Sequence, residues 1–112
     1  MTLREKQSLF CLLVGELIRE AYAQGFELTF GETYRSPEEA ARLAKLGRGI
    51  RASLHTKRLA IDLNLFRDGK YLSSTESHRP LGEWWERQDP LCAWGGHFND
   101  GNHYSLTHEG RK

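Results

Sequence analysis

Long apolar runs are missing from this 112-residue chain: none approaches the roughly 18 residues that a membrane span requires. The first residues also lack the basic stretch, continuous apolar segment and small-residue cleavage site of a secretory leader, so synthesis in the cytoplasm is expected. Net charge is nearly absent, with 16 basic residues against 15 acidic and a formal balance of +1. A dedicated nucleic-acid binder concentrates basic residues on one face, and this balance excludes that class. Cysteine occurs only as Cys11 and Cys92, at no motif spacing. Cys11 falls inside an apolar helical pattern where a thiol behaves as a small hydrophobe, so both are expected as reduced core residues. No internal repeat or low-complexity segment is present, which removes solenoid and linker readings. What remains is one domain over residues 1–112, long enough to bury about two-thirds of its unfolded surface.

Thr2 with Glu5 forms a capping-box signature, and Leu9, Leu12, Leu13, Leu17, Ile18 and Ala21 recur at helical spacing until Gly25. Phe26 to Phe30 alternates with period two and predicts a strand burying Phe26, Leu28 and Phe30. Ser36-Pro37-Glu38-Glu39 is a second capping box, opening a short helix through Ala40, Leu43 and Leu46 that Gly47 ends. Gly47 to Ala52 reads as an irregular loop. The acid-free run Lys45, Arg48, Arg51, Lys57 and Arg58 suits either a solvated loop or contact with an anionic polymer. From Ala60 to Phe66 a strand puts Ile61, Leu63 and Leu65 on one face and Ala60, Asp62 and Asn64 on the other. Asp68-Gly69 predicts a hairpin, and His78 to Gln88 a helix with Leu81, Trp84 and Trp85 inward, stopped at Asp89-Pro90. His78 is read as a capping or surface group, and the tail from His108 as a frayed end. Gly95-Gly96 marks a place where backbone comes close to something, a substrate included.

The residues with the most chemistry are His55, Asp62 and His103, with Asp100 three positions before the last. Catalytic zinc takes three nitrogen, sulfur or carboxylate ligands from the protein and leaves the fourth position to water. Two imidazoles and one carboxylate make that set, and Asp100 supplies a neighbouring free carboxylate. His97 is a rival for the third ligand. Ser53, His55 and Asp62 could be written as a triad, but no nucleophile-elbow pattern surrounds the serine. Arg35, just before a helix, offers a planar fork that binds a carboxylate or carbonyl bidentately.

Ser53, His55, Ala60 and Asp62, followed by Asp100 and His103, resemble the two-part signature of the zinc D-Ala-D-Ala carboxypeptidases and the related L-alanyl-D-glutamate endopeptidases of phage endolysins. Trp94-Gly95-Gly96 is similar to the stretch that precedes the last ligand there, and the likeness covers about residues 26 to 106. One position departs: Arg58 stands where the pattern has glycine. The resemblance implies an α+β fold, a small antiparallel sheet with helices packed on one side. It implies zinc held by His55, Asp62 and His103, with His103 preferred over His97, and Asp100 as general base. It assigns Arg35, Ser53 and Trp94 to the substrate, with Ser53 also supporting His55. The implied function is hydrolysis of peptidoglycan stem peptides, L-Ala-D-Glu endopeptidase first and D-Ala-D-Ala carboxypeptidase second, by a monomer that another agent such as a holin delivers to the wall. A catalytically silent zinc-containing wall-binding domain is the alternative from a different class.

Overall fold

The computed structural model describes residues 1–50 and 52–112; Arg51, one member of the basic run, lies outside the described residues. Helix α1 (Leu3–Ala23) starts at Thr2, whose hydroxyl accepts from the Glu5 N–H while the Glu5 carboxylate accepts from the Thr2 N–H. Its buried stripe is Phe10, Leu13, Val14, Leu17 and Ala21, the i, i+3, i+4, i+7 spacing of one helical face. That register differs from the expected one by a small rotation. Leu12 and Cys11 therefore point to solvent, and Cys11 is not the core residue the apolar pattern suggested. Cys92 is buried as expected.

Five strands form one antiparallel sheet: β1 (Glu27–Phe30), β2 (Ala60–Arg67), β3 (Lys70–Tyr71), β4 (Cys92–Trp94) and β5 (His103–Leu106). The path runs β1-β2-β5-β4, with β3 paired to β2 through the Asp68-Gly69 turn. Both turn residues have positive φ, as an Asp-Gly hairpin requires. Period two in β2 divides the sheet. Ile61, Leu63 and Leu65, with Tyr104 and Leu106 of β5, join Phe10, Leu13 and Leu17 of α1 in the core. Helix α3 (Arg79–Gln88) adds Leu81 and Trp85, whose indole N–H is shared between the carbonyls of Ala93 and Ser105. Asp62 and His103 stand directly opposite each other in the β2–β5 register and so share a face. The expected α+β architecture holds, with the short α2 (Pro37–Lys45) burying only Ala40.

Strand β1 carries less core than its alternation suggested. Phe26 is buried just ahead of the strand and Leu28 half-buried, but Phe30 is 70% exposed, β1 being the sheet's outer strand. Its free edge is partly closed by Tyr22, whose hydroxyl accepts from the Leu28 N–H at 3.3 Å. Among the described residues, no helix is long and apolar enough to cross a membrane.

His78 stands at the N-cap position of α3, but its side chain makes no cap hydrogen bond and it is not a surface group. It is 3% exposed and shares a 2.8 Å hydrogen bond between its Nδ1 and the Tyr104 hydroxyl. Burial pushes its imidazole down to about 4. In the unfolded chain the ring titrates near 6.5, so the unfolded state binds the extra proton first as pH falls. The stability tied to a neutral His78 is thus whole above about pH 6.5 and lost progressively toward pH 4, a term of up to roughly 3 kcal/mol. Urea unfolding from pH 7.5 to 4 should show His78→Gln losing less stability than the parent across that window; parallel slopes would refute the assignment.

Candidate metal centre

The first candidate ligand, His55, is on a one-turn 3-10 segment, Leu54–Lys57, that interrupts the run into β2. The backbone N–H, the carbonyl and Nδ1 of His55 are all engaged. Its N–H donates to the Ser53 hydroxyl at 3.2 Å, its carbonyl accepts from the Arg35 N–H at 3.1 Å, and its Nδ1 lies 3.3 Å from the Thr33 carbonyl. An Nδ1–H bound to a carbonyl leaves Nε2 bare, the tautomer a metal ligand needs. Ser53 thereby supports His55 through the backbone, in line with the supporting role expected of it.

Arg58 closes that segment in the left-handed conformation, φ 56° and ψ 38°. A glycine adopts this backbone without steric cost, which accounts for the glycine of the signature at this position. The arginine is accommodated instead by stacking its guanidinium over the Tyr34 ring, 4.0 Å from the centroid.

The second ligand is fixed by backbone on both sides. Asp62 donates its N–H to the Glu32 carbonyl and accepts from the Gly31 N–H, each at 2.8 Å, which extends the β1 ladder beyond Phe30. A Cβ on Gly31 would lie 2.9 Å from the Asp62 carbonyl oxygen, so glycine permits this approach. The third ligand follows a tight loop. The Asp100 N–H donates to the Gly95 carbonyl, the His103 N–H to the Asp100 carbonyl, and the Leu63 N–H to the Asn102 carbonyl.

Nε2 of His55 lies 3.4 Å and Nδ1 of His103 3.5 Å from the same Asp62 oxygen, Oδ1. One donor atom from each residue lies within 4.8 Å of the other two, close enough to surround a single ion. The Asp62 Oδ1 is buried and has no hydrogen-bond partner among the described residues. An orphaned carboxylate oxygen aimed between two imidazole nitrogens fits a divalent cation, and its two-nitrogen, one-oxygen donor set suits zinc. Burial opposes the Asp62 charge, but the imidazoles of His103 and His55 beside it outweigh that and hold the carboxyl at about 2. Burial likewise opposes a charged His55; Asp62, the Thr33 carbonyl and Glu32 together more than offset it, and the imidazole is raised. His97 is not part of this cluster: it is exposed and paired with Glu86 at 2.8 Å.

Asp100 lies on the lining of the same cavity, about 310 Å³, with Arg35, Arg48, Ser53 and Phe98. Partial withdrawal from water raises its carboxyl above the usual carboxylate range; the imidazoles of His103 and His55 counteract this, and the Asp62 charge adds to it. Arg35 also lines the cavity, with its fork on the carboxylate of Glu32, Nε to Oε2 at 3.1 Å and Nη2 to Oε1. Glu32, which sequence reasoning passed over, thus links Arg35 to the ligand His55, whose Nδ1 is 3.7 Å from its Oε1. Only its place between a strand and Arg35 could have flagged it.

Trp94 does not meet a substrate. It is 1% exposed, its indole N–H donates to the Gly101 carbonyl at 2.7 Å, and its ring fills the space that side chains at Gly82 and Gly96 would occupy. A Cβ on Gly95 would lie 2.2 Å from the Asp100 carbonyl oxygen. The Trp-Gly-Gly stretch therefore brings backbone close to the Asp100 loop, and Trp94 holds that loop through its indole N–H.

Strand order and helix placement give this chain the fold of solved peptidases. It is similar to the L-Ala D-Glu endopeptidase ChiX of Serratia marcescens, at a TM-score of 0.69 and 22% identity over 85% of this chain and 77% of that one. It is also similar to a mutant of the vancomycin-resistance D,D-pentapeptidase VanY from the VanB-type cassette, solved with Zn(II), at a TM-score of 0.57 and 19% identity over 87% of this chain and 70% of that one. No family model matches the chain, and no curated protein matches it in sequence.

Proposed function

We propose that the chain is a zinc-dependent peptidase of peptidoglycan stem peptides, cleaving the bond between L-Ala and D-Glu. The observation that carries this reading is the convergence of His55, Asp62 and His103 on one orphaned carboxylate oxygen, with Asp100 lining the same cavity. When bound, zinc supplies a Lewis acid for the scissile carbonyl and makes water acidic enough to attack near neutral pH. The protein's residues do the rest. Asp100 takes the proton of the attacking water and returns it to the leaving amine, and its raised pKa fits a group that must both accept and donate. Arg35, held by Glu32, presents positive charge to the cavity where negative charge develops on the carbonyl oxygen. The Thr33 carbonyl keeps His55 in its ligating tautomer.

The likeness to ChiX supports the endopeptidase reading, and the likeness to VanY supports removal of a terminal D-Ala as the second reading. Asp100 speaks against a silent wall-binding domain, since a purely structural metal has no use for a base. Mass spectrometry of peptidoglycan fragments after incubation with zinc-loaded protein, with a chelator-treated control, tests all three. A new peptide beginning at D-Glu, absent with chelator, is the expected product. Loss of a single D-Ala would assign the carboxypeptidase, and zinc retention without any product would leave the binding domain.

A further inference from the structure

We propose that Arg48 is the specificity-determining residue of the cavity, taking a free carboxylate that the substrate carries beside the cleaved bond. The proposal rests on the peptidase reading and deepens it. Among the described residues, Arg35, Arg48 and Lys112 are the Arg and Lys side chains on the cavity lining. Arg35 is already engaged. Its Nε and Nη2 are on Glu32, so most of its fork is already paired with a carboxylate, and its Nη1 lies 3.3 Å from the point where a Cβ on Gly49 would stand.

Arg48 differs on each count. Its N–H donates to the Leu43 carbonyl at 2.8 Å, which fixes the start of the loop to the end of α2. Its side chain is exposed and makes no ion pair or hydrogen bond among the described residues. The acids on the lining, Asp62 and Asp100, belong to the ligand cluster and the general base, so the wall offers Arg48 no spare counter-charge. Ile50, Leu54 and Phe98 complete the lining with apolar surface. Lys112 adds a second positive residue on that lining. It is brought there because the tail is not frayed: His108 and Arg111 exchange two backbone hydrogen bonds of 3.0 and 2.9 Å.

A cavity of about 310 Å³ is at the small end for ligand sites, so a cation on its wall stays within reach of groups flanking the bond at the metal cluster. A guanidinium fork without a counter-ion selects a carboxylate over the equally shaped carboxamide. The substrate class is therefore a peptide whose residue next to the cleaved bond keeps a free carboxylate.

The test uses L-alanyl-γ-D-glutamyl-L-lysine and the same peptide with its free glutamyl α-carboxyl amidated. Hydrolysis is measured with zinc-loaded protein, and binding by calorimetry in an Asp100→Asn background. The parent should favour the acidic peptide by about tenfold or more in both readouts, with the difference carried by KM. Arg48→Gln should bring the ratio close to one, and Arg48→Lys should restore part of it. A preference that survives Arg48→Gln, or a parent that treats both peptides alike, overturns the assignment while leaving the peptidase reading in place. A binding preference that depends on Arg48, without hydrolysis of either peptide, would uphold the subsite and overturn the peptidase reading.

Discussion

Asp100→Ala should lower stem-peptide hydrolysis by about a hundredfold to ten-thousandfold and leave the bound zinc in place. The two halves of that expectation come from different parts of the structure. Asp100 is outside the trio whose donor atoms lie within 4.8 Å of one another, so its removal takes no ligand away. It lines the cavity, and the one other acidic side chain among the described residues of that lining is Asp62, the candidate ligand, so no neighbouring side chain is free to take over the proton. The substitution is also gentle on the fold. The loop is held by backbone, through the Asp100 N–H on Gly95, the Asp100 carbonyl on His103 and the Trp94 indole on Gly101, and all three bonds survive loss of the side chain. Metal content by plasma mass spectrometry and kcat on a defined peptide read the two effects separately. Unchanged turnover would remove Asp100 from the mechanism, and lost zinc would make it a ligand.

The sequence displayed the site more clearly than it displayed the scaffold. His55 and Asp62 flank a strand start, and the alternation in Ala60–Phe66 already put Asp62 on the polar face, because period two is a local property of extended chain. The preference for His103 over His97 came from the resemblance, and the β2–β5 register places His103 directly opposite Asp62. The errors arose where the outcome depends on a distant partner. Whether Cys11 or Phe10 faces inward depends on how α1 rolls against Trp85, whose ring meets Phe10 edge-on at 5.9 Å, and helical periodicity leaves that roll free by a residue or so. Phe30 reads as buried by alternation, but its exposure is set by β1 being at the sheet edge. His78 is buried by Tyr104, 26 positions away, and no local rule points to that bond. Trp94 shows the same limit in a motif. Its neighbours in sequence suggested a surface near substrate, while the space left by Gly82, on another element, turned it inward.

His55→Ala should abolish both zinc binding and hydrolysis, with affinity falling by more than the ten- to hundredfold typical of losing a mere supporting contact to a ligand. Three protein ligands are the minimum of a catalytic zinc site, and removing one leaves a carboxylate and a single imidazole. Among the described residues no third imidazole lines the cavity. His97 is exposed and paired with Glu86, and His78 is buried against Tyr104 and reserved by that bond. The fold should persist, because His55 is on a 3-10 turn outside the sheet and its backbone bonds to Ser53 and Arg35 do not need the ring. The loss also removes one of the two imidazoles that hold Asp62 at about 2, so the Asp62 carboxyl should titrate higher in the metal-free variant. Zinc titration by calorimetry, with far-UV circular dichroism to confirm folding, decides the matter. A folded variant that still binds one equivalent of zinc as tightly as the parent would mean that the ion is held elsewhere, and the convergence of His55, Asp62 and His103 would then be an ion-paired cluster without a metal.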